Sequence, residues 1–261
     1  MGVFEALILG LVQGITEFLP VSSSGHLVLL QQLMGLKDVP IFFDAMLHFG
    51  TLIAVVVVLL GEIIQIIRHP VKNHLGMLII ATIPAAVLGY FFSDYFESVF
   101  KSGSFLGLFF LITAAILTVS ELIAARINTK KPITMNSAIS MGLMQAVSIL
   151  PGVSRSGSTI AGGLFSGVDR VQAAKFSFLM SIPIIIGAVL SSGMSTVSTG
   201  MGDVSTLTVM VGTVAAAVAG FFAVKFMLAI IAKTKLYGFA IYVAALGTFL
   251  LLDQFVFHLI F

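Results

Sequence analysis

Two short polar stretches in an otherwise apolar chain contain most of the side chains that could take part in chemistry. The first, over residues 13–26, reads QGITEFLPVSSSGH and holds an amide, a carboxyl group, three consecutive hydroxyl groups and an imidazole. The second, over residues 145–158, reads QAVSILPGVSRSGS, begins 132 residues later and adds a guanidinium group. Because carboxyl, imidazole and hydroxyl groups are the usual parts of a hydrolytic site, both stretches are candidate parts of one.

The order of residues within each stretch predicts a binding site for an anion. Serines and a glycine precede a helical segment in both, and serines at that position cap a helix whose free N–H groups and dipole attract phosphate. Arg155 lies between two of these serines, and its planar guanidinium suits bidentate contacts with phosphate. An arginine at membrane depth is costly without a partner or a ligand. The candidate phosphate-binding residues are Ser22, Ser24, Gly25, Ser154, Ser156 and Gly157.

The first stretch also contains the groups expected to break a bond. Glu17 follows Gln13 by four residues, so the two share a helix face. A carboxylate repels phosphate unless it handles a proton or holds a divalent metal. We therefore predict Glu17, His26, Ser23 and Arg155 as catalytic residues, with the attacking group left open between Ser23, His26 and water. Structural alternatives are an ion pair of Glu17 with Arg155, capping by the serines or by His26, and a bond from Gln13 to a neighbouring loop.

The composition places these stretches in a membrane protein. The chain has 261 residues, of which 59% are hydrophobic and 9% are charged, whereas soluble domains carry about 25% charged residues. The absence of cysteine excludes disulfides and thiolate metal sites. The sequence contains no soluble-type phosphate loop, zinc-ligand cluster or nucleic-acid signature, and no cleavable signal is expected at its start.

Hydropathy predicts an all-α integral membrane protein with six transmembrane helices and two re-entrant helix–loop–helix hairpins. The two shorter apolar stretches, Phe4–Leu19 and Ala138–Leu150, end at Pro20 and Pro151 and are too short for a hydrocarbon core of about 30 Å. Irregular backbone at that depth must be buried in protein or line a wet cavity. The predicted spans are Asp44–Ile67, Leu75–Phe92, Phe105–Ala125, Phe176–Ser192, Leu207–Ala232 and Leu236–Phe257.

Matches at an offset of 131–132 residues predict a single membrane domain built as an inverted repeat, with halves at about 1–131 and 132–261. The positive-inside rule then gives the orientation. It places ten of the thirteen Lys and Arg residues on the cytoplasmic side, both termini outside, Lys37 and Lys101 outside, and Arg155 within the second polar stretch. The ten are Arg68, Lys72, Arg126, Lys130, Lys131, Arg170, Lys175, Lys225, Lys233 and Lys235.

Four other polar side chains in apolar segments are expected to have ordinary roles. His48, four residues after Asp44, is predicted to lie at the membrane interface, with a place at the rim of the site as the alternative. Glu62 and Glu121 near cytoplasmic span ends, and Asp253 near the outer face, are predicted to be solvated.

The run Gln13-x3-Glu17-Phe-Leu-Pro-Val-Ser-Ser-Ser-Gly-His26, together with Pro151-Gly-Val-Ser-Arg155-Ser-Gly157, resembles the bacterial undecaprenyl-diphosphate phosphatase family of the bacitracin-resistance type. The resemblance covers essentially the whole chain. It implies removal of the terminal phosphate from undecaprenyl diphosphate at the plasma (inner) membrane, in a site that opens to the extracytoplasmic side. It also implies a divalent cation, Mg²⁺ or Ca²⁺, at Glu17 and Gln13, where Gln13 has an amide in place of the family's alternative carboxylate.

The expected partner is the lipid substrate, and no nucleic acid is expected to bind. For the assembly, a homodimer is one expectation. The rival function is a transporter or flippase of a polyprenyl phosphate lipid, because inverted repeats with broken helices are a transporter architecture. In that case Glu17 would couple protons and Arg155 would anchor the substrate. A purely structural scaffold explains neither Arg155 nor the repeated polar stretches.

Overall fold

The structure, a computed structural model, describes residues 1–36, 39–70, 74–92, 103, 105–127, 130–150, 152–199 and 204–260. Lys37, Lys72, Lys101 and Pro151, which entered the sequence predictions, lie outside these ranges. Within them the chain forms eleven α-helices and a π-helical turn at Asp253–Phe257. The helices are α1 Val3–Glu17, α2 Ser23–Leu33, α3 Ile41–Val58, α4 Leu60–Arg68, α5 Leu75–Phe91, α6 Leu106–Ile127, α7 Met135–Val147, α8 Arg155–Phe165, α9 Arg170–Thr199, α10 Thr206–Ile231 and α11 Tyr237–Leu252.

Long apolar helices dominate this architecture, which confirms the prediction of an all-α membrane protein. Five segments of the described chain are long and apolar enough to cross a bilayer, and α5, with 17 residues, is slightly shorter. The five are Ile41–Val58, Leu106–Ile127, Arg170–Gly193, Thr206–Ile231 and Tyr237–Phe257.

Two predicted spans have different boundaries in the structure. The first begins earlier, at Ile41, and is interrupted at Leu59, where the backbone leaves helical geometry (φ −100°, ψ 20°) before α4. Hydropathy does not detect this break, because no proline or polar residue marks it. Helix α9 begins at Arg170, six residues before the predicted start, where Asp169 Oδ1 accepts from the backbone N–H groups of Val171 and Gln172.

Close glycine contacts bring α1 and α3 onto the same face of α10. A Cβ atom added at Gly14 of α1 would lie 2.6 Å from the carbonyl oxygen of Ala216, and one added at Gly50 of α3 would overlap the carbonyl oxygen of Thr213. Only glycine permits such an approach of two helix backbones. The polar side chains of α1 and α3 that lie near these glycines are therefore held close together.

The short helices form two hairpins, α1 with α2 and α7 with α8. Helices α2 and α8 begin 132 positions apart, at Ser23 and Arg155. Helices α5 and α6 begin at Leu75 and Leu106, and α10 and α11 begin 131 positions after them. The helix order thus follows the offset seen in the sequence, whereas the opposite orientation of the two halves stays a prediction.

Two carboxylates that were predicted to be solvated are buried, so that prediction is wrong for both. Glu121 is fully buried and accepts two hydrogen bonds from Arg170, at 2.7 and 2.5 Å, and one from the Leu236 backbone N–H at 2.8 Å. Asp253 is also buried and accepts bonds from the backbone N–H groups of Leu259 and Ile260 at 3.0 and 3.1 Å. Burial is tolerated because these donors replace water. Glu62 stays partly exposed and pairs with Lys175 at 2.5 Å.

Candidate active site

The turn between α1 and α2 is shaped by Pro20 and Ser22. Helix α1 ends at Glu17, just before the proline. Ser22 has a positive φ of 67°, a strained conformation for a residue with a side chain. Its hydroxyl group accepts a bond from the Gly25 N–H at 3.4 Å and its carbonyl group accepts one from His26 Nδ1 at 2.7 Å. These two bonds hold the start of α2 and orient the histidine.

The turn between α7 and α8 repeats the same cap. Ser154 Oγ accepts a bond from the Gly157 N–H at 3.1 Å, as Ser22 does for Gly25. Thr113 of α6 fixes this turn, because its Oγ1 accepts from the Ser154 N–H at 3.0 Å and donates to the Gly152 carbonyl oxygen at 3.1 Å. Sequence reasoning missed Thr113, since nothing in the apolar segment around it distinguishes it.

The two turns meet, so the N-termini of α2 and α8 belong to one site. Ser156 Oγ donates to the Leu19 carbonyl oxygen at 2.8 Å, and the Gly152 N–H donates to Ser24 Oγ at 3.5 Å. Arg155 reaches across the junction to form an ion pair with Glu17. The ion pair weighed as a structural alternative is therefore present, at the junction of the two polar stretches.

Glu17 is the centre of the hydrogen-bond network. Its side chain is buried, with the residue 6% exposed. Oε1 accepts from Arg155, and Oε2 accepts from Ser23 Oγ at 2.5 Å and from Gln13 Nε2 at 2.8 Å. His48 Nδ1 lies 3.4 Å from the same Oε2. A carboxylate that accepts from a serine hydroxyl group is arranged to take its proton.

His26 lies to one side of this network and is bonded to other groups. Its Nδ1 is 2.7 Å from the Ser22 carbonyl oxygen, which can only accept, so Nδ1 carries the proton and Nε2 accepts from the Tyr242 hydroxyl group at 2.8 Å. The Tyr242 ring stacks on the imidazole at 5.7 Å and Phe110 contacts it edge-on at 5.4 Å. Among the described contacts, the structure does not join His26 directly to Glu17.

Tyr242, like Thr113, was not predicted, and His48 was predicted at the rim of the site only as an alternative. The structure favours this alternative for His48, because its Nδ1 lies 2.9 Å from Gln13 Nε2. The signal that could have found it is Gly50, which marks close packing of α3 two residues later. The hydroxyl group of Tyr242 lies in an apolar span, and its hydrogen-bond partner His26 is 216 positions away in the chain.

Gly25 and Gly157, two of the predicted phosphate-binding residues, also lie in close packing contacts. A Cβ atom at Gly25 would lie 2.6 Å from the Phe110 ring, and one at Gly157 would lie 3.2 Å from Pro20. Gln13, expected to bond to a neighbouring loop in one alternative, bonds to Glu17 and to helix α3 instead.

The oxygen atoms of Gln13 and Glu17 are too few to enclose a metal ion by themselves. They fit a cation that is also bound by phosphate oxygens. No three His, Cys, Asp or Glu side chains of the described chain form a group that could hold a metal ion. Gln13 Oε1, however, is buried and has no hydrogen-bond partner among the described residues, beside the Glu17 carboxylate. Mg²⁺ is often bound by one or two protein oxygens together with substrate phosphates.

Residues 6–249 match the family model described as bacitracin resistance protein BacA. The chain belongs to this family. It is 47% identical over 257 residues to a protein of Carboxydothermus hydrogenoformans named undecaprenyl-diphosphatase, covering 97% of this chain and 98% of the relative. It is 40% identical to the undecaprenyl-diphosphatase of Halothermothrix orenii over 254 residues, with 97% and 98% coverage, and 40% identical to undecaprenyl-diphosphatase 3 of Bacillus cereus over 255 residues, with 98% coverage of both. The resemblance seen in the two motifs is confirmed.

Proposed function

We propose that this chain hydrolyses undecaprenyl diphosphate to undecaprenyl phosphate and inorganic phosphate, which returns the lipid carrier to peptidoglycan synthesis and confers bacitracin resistance. The names of its relatives support this substrate. The observation that carries the proposal is the junction of two capped helix N-termini where Ser23, Glu17 and Arg155 meet. This site combines donors for a phosphate with a hydroxyl group next to a base.

The diphosphate binds between α2 and α8. Arg155 is paired with Glu17 in the structure, and a diphosphate, with its greater negative charge, competes for the guanidinium. The N–H groups at the starts of both helices supply further donors. When Arg155 turns to the phosphate, Glu17 loses one of its partners and becomes a better proton acceptor.

Ser23 is the attacking group that the geometry favours. Its Oγ–H donates to Glu17 Oε2 at 2.5 Å, so the proton passes to Glu17 as Oγ attacks the terminal phosphorus. The bond to the bridging oxygen breaks, undecaprenyl phosphate leaves, and water then releases inorganic phosphate from the serine. Water activated by the same Glu17 is the alternative nucleophile. His26, whose Nε2 accepts from Tyr242, supports the turn through Ser22 and is a second proton carrier once that bond opens.

A divalent cation, Mg²⁺ or Ca²⁺, would be held by Glu17 and by the unpartnered Gln13 Oε1, together with phosphate oxygens. It would neutralise the charge of the diphosphate when bound.

For the topology we propose six spans, with α5 as the sixth, and two re-entrant hairpins. Helices α1, α2, α7 and α8 have 15, 11, 13 and 11 residues, too short for a core of about 30 Å at about 1.5 Å per residue. The distribution of basic residues supports termini outside and a site that opens to the extracytoplasmic side of the plasma membrane. The lipid enters sideways with its tail in the bilayer, and a homodimer is the assembly to test first.

Phosphate release by the purified protein in detergent micelles, with a polyprenyl diphosphate and Mg²⁺, tests the function. Micelles hold no gradient, so release excludes an activity limited to transport. Glu17→Ala, His26→Ala and Arg155→Ala are expected to lower the rate, whereas Arg126→Ala, on an exposed part of α6, serves as the matched control. Wild-type rates in all three site variants, or uptake into sealed vesicles without hydrolysis, would reject the assignment.

A further inference from the structure

The imidazole of His48 lies against the catalytic carboxylate without a role in the reaction described above. Helix α3 is pressed onto α10 at Gly50, and α1 is pressed onto α10 at Gly14. This packing places His48 Nδ1 2.9 Å from Gln13 Nε2 and 3.4 Å from Glu17 Oε2. The His48 side chain is 28% exposed, whereas that of Glu17 is 4% exposed, so the imidazole is the more accessible of the two groups.

The hydrogen bonds of Gln13 determine which nitrogen of His48 carries its proton. The amide nitrogen has two hydrogens and cannot accept. One hydrogen goes to Glu17 Oε2 at 2.8 Å and the other to His48 Nδ1 at 2.9 Å. Nδ1 is therefore an acceptor. The 3.4 Å contact between Nδ1 and Glu17 Oε2 is not a hydrogen bond, because both atoms accept from the same Gln13 amide. A neutral imidazole with Nδ1 unprotonated has its N–H at Nε2.

We propose that His48 is a further substrate-binding residue, which donates a hydrogen bond from Nε2–H to a phosphate oxygen of the lipid diphosphate. The contacts of the ring with Gln13 and Glu17 are both made by Nδ1. Nε2 lies at the opposite edge of the ring, with no hydrogen bond from the described residues. His48 contacts Oε2 of Glu17, while Arg155 contacts Oε1. The imidazole and the guanidinium thus contact different oxygens of one carboxylate. A phosphate that takes Arg155 from Glu17 would accept from His48 Nε2–H as well.

This inference rests on the proposed function and also explains the amide at position 13. A carboxylate there would accept a proton from Nδ1 instead of donating to it, and His48 would lose the tautomer that it shows here. Gln13 and His48 are thus one unit, in which the amide sets the tautomer and the imidazole supplies the donor.

Two substitutions of His48 test whether it donates a hydrogen bond to the substrate or only supports Gln13. In His48→Gln the amide nitrogen takes the place of the imidazole Nε2, whereas in His48→Asn it takes the place of Nδ1. We expect His48→Gln to keep most of the wild-type kcat/KM and His48→Asn to lose about 10- to 100-fold, as for one hydrogen bond to a charged group. The opposite order, equal losses in two folded variants, or no loss in either would overturn the proposal.

Long-range ¹⁵N–¹H NMR of histidine-labelled protein in micelles gives a readout that is independent of turnover. The His48→Gln variant identifies the His48 signals by their disappearance. Wild-type protein is expected to show a protonated Nε2 and a bare Nδ1, and Nε2 is expected to shift when pyrophosphate is added. A proton on Nδ1, or no shift at saturating pyrophosphate, would reject the assignment even if the protein hydrolyses lipid diphosphate. Failure of wild-type phosphate release would instead reject the function.

Discussion

At the scale of single residues, the contact between Ser23 and Glu17 is the one that a substitution tests most directly. Ser23→Ala removes the hydroxyl group that lies 2.5 Å from Oε2 and leaves the backbone start of α2 intact. We expect the rate of phosphate release to fall by at least about 10²-fold, because the attacking hydroxyl group and its proton transfer to Glu17 are both lost. Phosphate release by purified protein at saturating lipid measures it.

Ser140→Ala is the matched control for that variant, since its hydroxyl group bonds to the Gly162 carbonyl oxygen between α7 and α8 and lies outside the proposed machinery. Rates that stay near wild type for Ser23→Ala would contradict both the nucleophile and its pairing with Glu17.

The residue types of the site could be read from the sequence, but several of their partners could not. An arginine and a glutamate in apolar segments are expected to pair with each other, and Arg155 and Glu17 do form an ion pair. His48 and Tyr242 come from helices whose distance from the polar stretches depends on packing. Single-residue hydropathy treats both as interfacial or incidental, because the contact arises only when three helices close around the site.

At the scale of helices, the buried pair of Glu121 and Arg170 ties α6 to α9, and its bond to the Leu236 N–H adds the start of α11. Glu121→Gln removes the charge while it keeps the shape. We expect a loss in the free energy of unfolding towards the lower end of about 3–5 kcal/mol, the cost of breaking a buried pair, because the Arg170 side chain is 26% exposed. The unfolding midpoint in detergent measures this loss.

Glu62→Gln is the control for Glu121→Gln, since the Glu62 and Lys175 side chains are 33% and 40% exposed. Exposed pairs contribute about 0–1 kcal/mol, so its midpoint should stay close to wild type. A similar shift in the two variants would mean that burial is not what makes Glu121 important.

The presence of the long helices could be predicted from the length of the apolar segments, whereas the residues at which helices end depend on particular contacts. Pro20 marks the end of the first short helix in the sequence, and the structure ends α1 at Glu17. The break at Leu59 has no such marker. The early start of α9 coincides with the cap by Asp169, which a hydropathy window does not register.

At the scale of the molecule, the two hairpins place similar helix caps at one junction, yet they contribute different reactive side chains. Ser22 and Ser154 cap their helices in the same way, at positions 132 apart. The first hairpin adds Glu17 and Ser23, and the second adds Arg155. Gln145, which corresponds to Gln13, is buried with no hydrogen-bond partner for its side chain among the described residues. The duplicated frame thus holds the two hairpins together, while the proposed nucleophile and base both lie on the first hairpin.

The proposed orientation can be tested on the whole molecule, because the chain contains no cysteine. Gln32→Cys, at the exposed end of α2, should react with a membrane-impermeant maleimide in spheroplasts, since the first hairpin is proposed to enter from outside. Lys233→Cys, in the exposed turn after α10, should react only after the membrane is permeabilised. Labelling at both positions from outside would contradict the odd number of spans between them, and the reversed pattern would place the phosphatase site on the cytoplasmic side.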